Sequence, residues 1–123
     1  AEWGEVAAAT SRVRRDALSR EPVVVRVPVA NTGDRPVTVV VQGYVAPVDP
    51  PADRPHRELV CWVKMQLDAG EERTAELRFD ELSFRRWDTA TDGWAVPAGP
   101  VDLVVARSAD PGDEHGRVRL ELD

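Results

Sequence analysis

From Val23 to Leu122 the chain alternates apolar and polar residues with a period of two. In Val23–Val29 every odd position is Val, while Arg26 and Pro28 fall on the other face. Val37, Val39 and Val41 continue the pattern to Val45. Cys61, Val63, Met65 and Leu67 repeat it after Leu59, with Trp62 on the opposite side. Ala75, Leu77 and Phe79, then Val101, Leu103 and Val105, then Val118, Leu120 and Leu122 complete the series. Between these runs stand turn formers: Asn31-Thr32-Gly33-Asp34, Asp68-Ala69-Gly70, Asp88 to Gly93, Pro97-Ala98-Gly99-Pro100 and Ser108 to Gly116. A period of two cannot sit on a helix. It specifies strands with one face toward a core.

About seven such strands in 123 residues predict an all-β chain, an antiparallel β-sandwich of the immunoglobulin-like kind. Residues 23–123 form the sandwich. Residues 1–22 are a lead-in to the same domain, read as an edge strand and an irregular segment, although Glu5 to Leu18 has helical propensity. Pro28 cannot donate to a ladder, which places its strand at an edge or a bulge. Residues 46–56 hold Pro47, Pro50, Pro51 and Pro55 and read as an extended surface loop. Val25, Val27, Val39, Val41, Leu77, Phe79, Leu103 and Val105 should be buried together between two sheets.

Charge and cysteine content narrow the functional classes. Sixteen basic residues against 22 acidic give a net charge of −6, which argues against a nucleic-acid partner. No apolar run approaches the ~20 residues of a membrane-spanning helix, so no membrane partner is expected. No basic-then-apolar leader opens the sequence. The compartment is left open: a soluble protein, cytoplasmic or secreted. Lys64 is the one lysine among the basic residues, a bias toward Arg that fits a high-GC, bacterial genome. Cys61 has no partner for a disulfide, and its apolar neighbours read as core.

Candidate chemical groups are sparse. Asp49, Asp53 and His56 share one loop, and Asp110, Asp113, Glu114 and His115 another. Neither has a defined ligand register, and both read as solvated loops, so no metal or cofactor is expected. Ser83 and Ser108 lack the setting of a nucleophile. Arg12, Arg14 and Arg15 read as a solvated edge. Trp62, Trp87 and Trp94 are expected to anchor the core. Trp3 and Trp94 are the candidates for contact with a sugar or a neighbouring domain.

Four motifs, taken in order, resemble one known family. Val25-Arg26-Val27-Pro28-Val29-Ala30-Asn31-Thr32-Gly33-Asp34 is similar to a V-x-V-x-V-x-N-T-G-D opening. Val40-Val41-Gln42-Gly43-Tyr44-Val45 resembles V-V-Q-L-Y-V. Arg57 to Glu71 resembles K-E-L-K-G-F-x-K-V-x-L-x-P-G-E. Leu82-Ser83, Trp87-Asp88, Trp94-Ala95-Val96 and Ala98-Gly99 follow L-S-x-W-D…W-x-V-x-P-G. The pattern is that of the fibronectin type III-like domain at the C-terminus of glycoside hydrolase family 3 enzymes, such as β-glucosidases, and it covers roughly residues 23–107. Departures include Pro36-Val37-Thr38 for G-x-E, Cys61 for the common Gly, and Ala106 for a Gly.

The resemblance implies a parent that hydrolyses glycosides with retention, using two carboxylates ~5 Å apart. In that family both sit on earlier domains, so no catalytic residue is carried over to this chain. The implied role is accessory: packing on the catalytic domains and stabilising them. A carbohydrate-binding module using exposed Trp, or a fibronectin-type module for a protein partner, are the alternatives.

Overall fold

The computed structural model describes residues 1–48 and 57–123, and these form a two-sheet β-sandwich. The chain runs β1 (Glu2–Trp3), β2 (Ala7–Ala8), β3 (Arg12–Val13), β4 (Val23–Ala30), β5 (Val37–Pro47), β6 (Glu58–Leu67) and β7 (Glu72–Phe79). There follow a one-turn helix α1 (Glu81–Phe84), β8 (Arg86–Asp88), β9 (Gly93–Ala95), β10 (Gly99–Ala106) and β11 (Glu114–Leu122). Six of the strands are long and carry the period-two pattern; the other five have two or three residues.

In the first sheet β4 lies centrally, with β7 on one side and β1 and β2 on the other. The second has the order β3-β11-β10-β5-β6 and is antiparallel except for the short β3–β11 pairing. The hairpin β8–β9 stands apart as its own two-stranded sheet. The eight core residues expected from the alternation all lie in one buried cluster between the two sheets. Val25 pairs with Leu77 and Val23 with Phe79, so the apolar faces meet in register. Leu18, in the lead-in, is also fully buried there.

The strand holding Pro28 is not an edge strand. Pro28 pairs with Thr74 on one side, and its carbonyl accepts from Gly4 N–H (2.7 Å) on the other. Its missing donor therefore faces the gap between β1 and β2, where no ladder bond is required. Gly4 crosses the ring so closely that an added Cβ would lie 2.6 Å from Pro28 Cγ.

A bulge corrects the expected face of Leu59. Gly43 pairs with Cys61 but Tyr44 with Leu59, so Val60 is an extra residue in β6. Val60 packs toward the core, and Leu59 is turned outward and exposed. The outer face of β5 and β10 is covered as well: Tyr44, Ala46, Val104 and Ala106 form a second buried cluster. Asp102 is buried on that face. Arg117 Nη1 donates to one of its oxygens (3.0 Å) and Arg119 Nε to the other (2.5 Å). Desolvation pushes the Asp102 pKa up, but the two guanidinium partners outweigh it and hold the carboxyl below its ordinary range.

Candidate contact surface

The second half of the β7–β8 connection builds the most distinctive surface. α1 starts on a capping box: the Asp80 carboxylate accepts from Ser83 N–H (3.1 Å), and Ser83 Oγ accepts from Asp80 N–H (3.2 Å). Ser83 is thus a buried structural group. Phe84 turns into the core, and the chain leaves as the β8–β9 hairpin, whose turn is held by Ala90 N–H donating to Asp88 Oδ1 (3.0 Å). Arg86 ties the hairpin to the start of β6 through Glu58 (3.0 Å).

Trp87 and Trp94 are register partners on this hairpin, and their rings meet edge to face at 5.5 Å. The expectation that Trp62, Trp87 and Trp94 anchor the core is overturned. They are 65%, 47% and 60% exposed. The hairpin joins neither main sheet, so its two indoles pack on each other. Trp62 falls between exposed Leu59 and Lys64 on the outer side of an edge strand. Arg85 lies over the Trp94 ring at 4.6 Å.

Between the hairpin and the end of the sandwich lies a cleft of about 650 Å³. Val45, Pro47, Phe84, Trp87, Val96 and Pro97 supply apolar lining; Arg15, Arg86 and Asp88 supply its charged groups. Arg15, read from the sequence as part of a solvated edge, is exposed and also ties the lead-in to two distant segments. It donates to the Val96 carbonyl (2.8 Å) and, from Nε, to the Asp123 carbonyl (3.1 Å). Nothing in the local sequence marks that role, because both acceptors are backbone groups more than 80 residues away. Arg12 and Arg14 pair with Asp123 and Asp16 at the surface.

The two aromatic candidates are not brought together. Trp3 is half-buried beside β4 and packs on His115 (5.4 Å) and Arg107 (5.0 Å). Trp94 contacts Trp87 and Arg85 on the hairpin. In the loop before β11, the Asp110 carboxylate caps a short turn by accepting from Gly112 N–H, and Asp113 accepts from the Ser108 hydroxyl; at the start of β11, Glu114 pairs with Arg117 and His115 Nε2 meets the Gly4 carbonyl (2.5 Å). Among the described residues no cluster of His, Cys, Asp or Glu is arranged to hold a metal. Asp49, Asp53 and His56, with most of the proline-rich segment, lie outside the described residues. Burial pushes the Cys61 thiol up to about 12, reinforced by the Asp80 charge, which makes it a poor nucleophile.

Residues 39–109 match the family model of the fibronectin type III-like domain. Among curated proteins the chain is 36% identical over 93 residues to probable β-glucosidase E of Aspergillus fumigatus, covering 76% of this chain and 9% of that protein. It is 32% identical over 107 residues to probable β-glucosidase I of Aspergillus clavatus, covering 86% and 13%. Its fold superposes on DesR, a β-glucosidase from Streptomyces venezuelae, with a TM-score of 0.79 and 29% identity over 98% of this chain and 14% of that one. The Bifidobacterium adolescentis GH3 β-glucosidase gives 0.77 and 28%, covering 99% and 17%. The chain thus spans only about a tenth of the curated relatives it matches. No helix is long and apolar enough to cross a membrane among the described residues. With well over half of its residues inside the matched model, the chain belongs to the fibronectin type III-like domain family.

Proposed function

We propose that this chain is the non-catalytic accessory domain of a family 3 β-glucosidase, packing on the catalytic domains and stabilising them. The observation that carries this is the coverage: nearly all of the fold superposes on DesR, yet it accounts for 14% of that enzyme. Among the described residues Asp88 is the one carboxylate lining the cleft, whereas retaining glycoside hydrolysis needs two, ~5 Å apart. Trp62, Trp94, Leu59 and Leu82 are exposed apolar side chains of the kind a neighbouring domain would cover.

The exposed indoles favour a second reading, carbohydrate binding, and leave room for a protein partner. Incubation of the pure 123-residue chain with an aryl β-glucoside tests the first. The expected result is no release of the aglycone above a buffer control. Sustained turnover by homogeneous protein would overturn it. Calorimetry with soluble β-glucans separates the second: saturable heat lost on Trp94→Ala would favour a sugar platform.

A further inference from the structure

We propose that the cleft beneath the β8–β9 hairpin is a subsite for an amphipathic glycoside, an apolar ring joined to a sugar. Its volume of about 650 Å³ falls within the ~300–1,000 Å³ of small-molecule sites, which are mostly apolar with a few placed polar groups. Phe84, Trp87, Val96 and Pro97 give the cleft an apolar lining that suits an aryl aglycone. The charged groups differ in how far they are already used. Arg86 is committed, donating to Glu58 and to the Arg85 carbonyl. Asp88 is not: Oδ1 accepts from Ala90 N–H, and among the described residues Oδ2 has no partner. Arg15 donates from Nε and Nη1 to the Asp123 and Val96 carbonyls, and Nη2 has no partner among the described residues.

A carboxylate with a spare acceptor and a guanidinium with spare donors complement sugar hydroxyls, which both donate and accept. A purely apolar ligand would leave Asp88 desolvated and unpaired. Trp94 is a poorer platform, since Arg85 already lies over its ring. The choice of a glycoside rests on the β-glucosidase reading above; the cleft itself does not.

The four tryptophans give four indole N–H resonances that report separately on a titration of the ¹⁵N-labelled chain with phenyl β-D-glucoside. A saturable shift of the Trp87 resonance is expected, with Trp3 and Trp62 unmoved and a dissociation constant on the order of 1 mM. Phenol and methyl β-D-glucoside should each bind about tenfold more weakly, because each supplies half of the contacts. Trp87→Ala should abolish the shift at the remaining hairpin resonance, Trp94. Should that variant unfold the hairpin, Asp88→Asn retains Oδ1 for the turn and should weaken binding about tenfold. The subsite is overturned by the absence of a saturable Trp87 shift. Phenol binding as tightly as the glucoside with Asp88→Asn silent, or shifts that follow protein concentration and reveal self-association, overturn it equally. Nitrophenol release from the nitrophenyl analogue would sink the accessory role and leave the subsite standing; no binding and no release would do the reverse.

Discussion

Gly43 and Cys61 face each other across β5 and β6, and a two-residue exchange there tests the packing quantitatively. In the resembled family these positions carry Leu, in V-V-Q-L-Y-V, and Gly, in K-E-L-K-G-F. This chain has small opposite large in the reverse sense. A Cβ added at Gly43 would lie 2.5 Å from Cys61 Sγ, 2.9 Å from Phe79 Cζ and 3.3 Å from Leu77 Cδ1. Overpacking of this kind costs about 1–3 kcal/mol, so Gly43→Ala should lower the melting temperature by roughly 5–10 °C in a domain of this size. Cys61→Gly should cost about 1–2 kcal/mol through lost packing and the backbone freedom of glycine. In the double variant Sγ is gone, and the Phe79 ring can move into its place. The double should therefore be more stable than the sum of the singles by about 1 kcal/mol or more. Urea unfolding of the four proteins measures this coupling directly. Additivity within about 0.5 kcal/mol would show that the two residues do not share the space the register gives them. Gly43→Leu, ruinous alone, should be rescued by Cys61→Gly, which rebuilds the family's pair.

Further outcomes follow from three particular sites. The Asp102 carboxyl titrates below its unfolded value, so its contribution is fully present above about pH 4 and lost as the pH falls through the depressed folded value; Asp102→Asn should flatten the acid limb of the stability curve. At neutral pH Asp102→Ala, which leaves Arg117 and Arg119 without their shared partner, should cost about 1–2 kcal/mol by urea unfolding, both guanidiniums being half exposed. With its pKa pushed up to about 12, Cys61 should resist iodoacetamide at pH 8 in the folded chain and react fully in urea, as mass spectrometry would show. Gly4→Ala should destabilise by about 1–3 kcal/mol through its clash with the Pro28 ring, and Pro28→Val should relieve part of that loss.

The long strands were legible because period two survives wherever one face is buried: Val23 to Val29 and Ala75 to Phe79 could pair in only one sense. The same rule misassigned Leu59, since a bulge at Val60 shifts the phase by one residue and leaves no mark in composition. Pro28 signalled a missing ladder bond correctly. That the gap would lie between β1 and β2 depended on Gly4, 24 residues earlier in the chain. Size alone points Trp62, Trp87 and Trp94 to the core, where none of them lies. For Trp62 its own alternation, opposite Cys61 and Val63, already pointed outward. For Trp87 and Trp94 the separation of their hairpin from both sheets is a tertiary fact. The cleft was not legible at all, because Arg15, Phe84 and Val96 meet only through the fold.

Thermal unfolding of the full parent polypeptide, with and without the segment corresponding to residues 1–123, tests the accessory role most directly. If the chain is the proposed accessory domain, the truncated polypeptide should unfold several degrees lower, with its exposed interface drawing it into aggregates. An unchanged melting temperature together with unchanged kcat/KM in the truncated enzyme would contradict the claim that this domain stabilises the domains it adjoins.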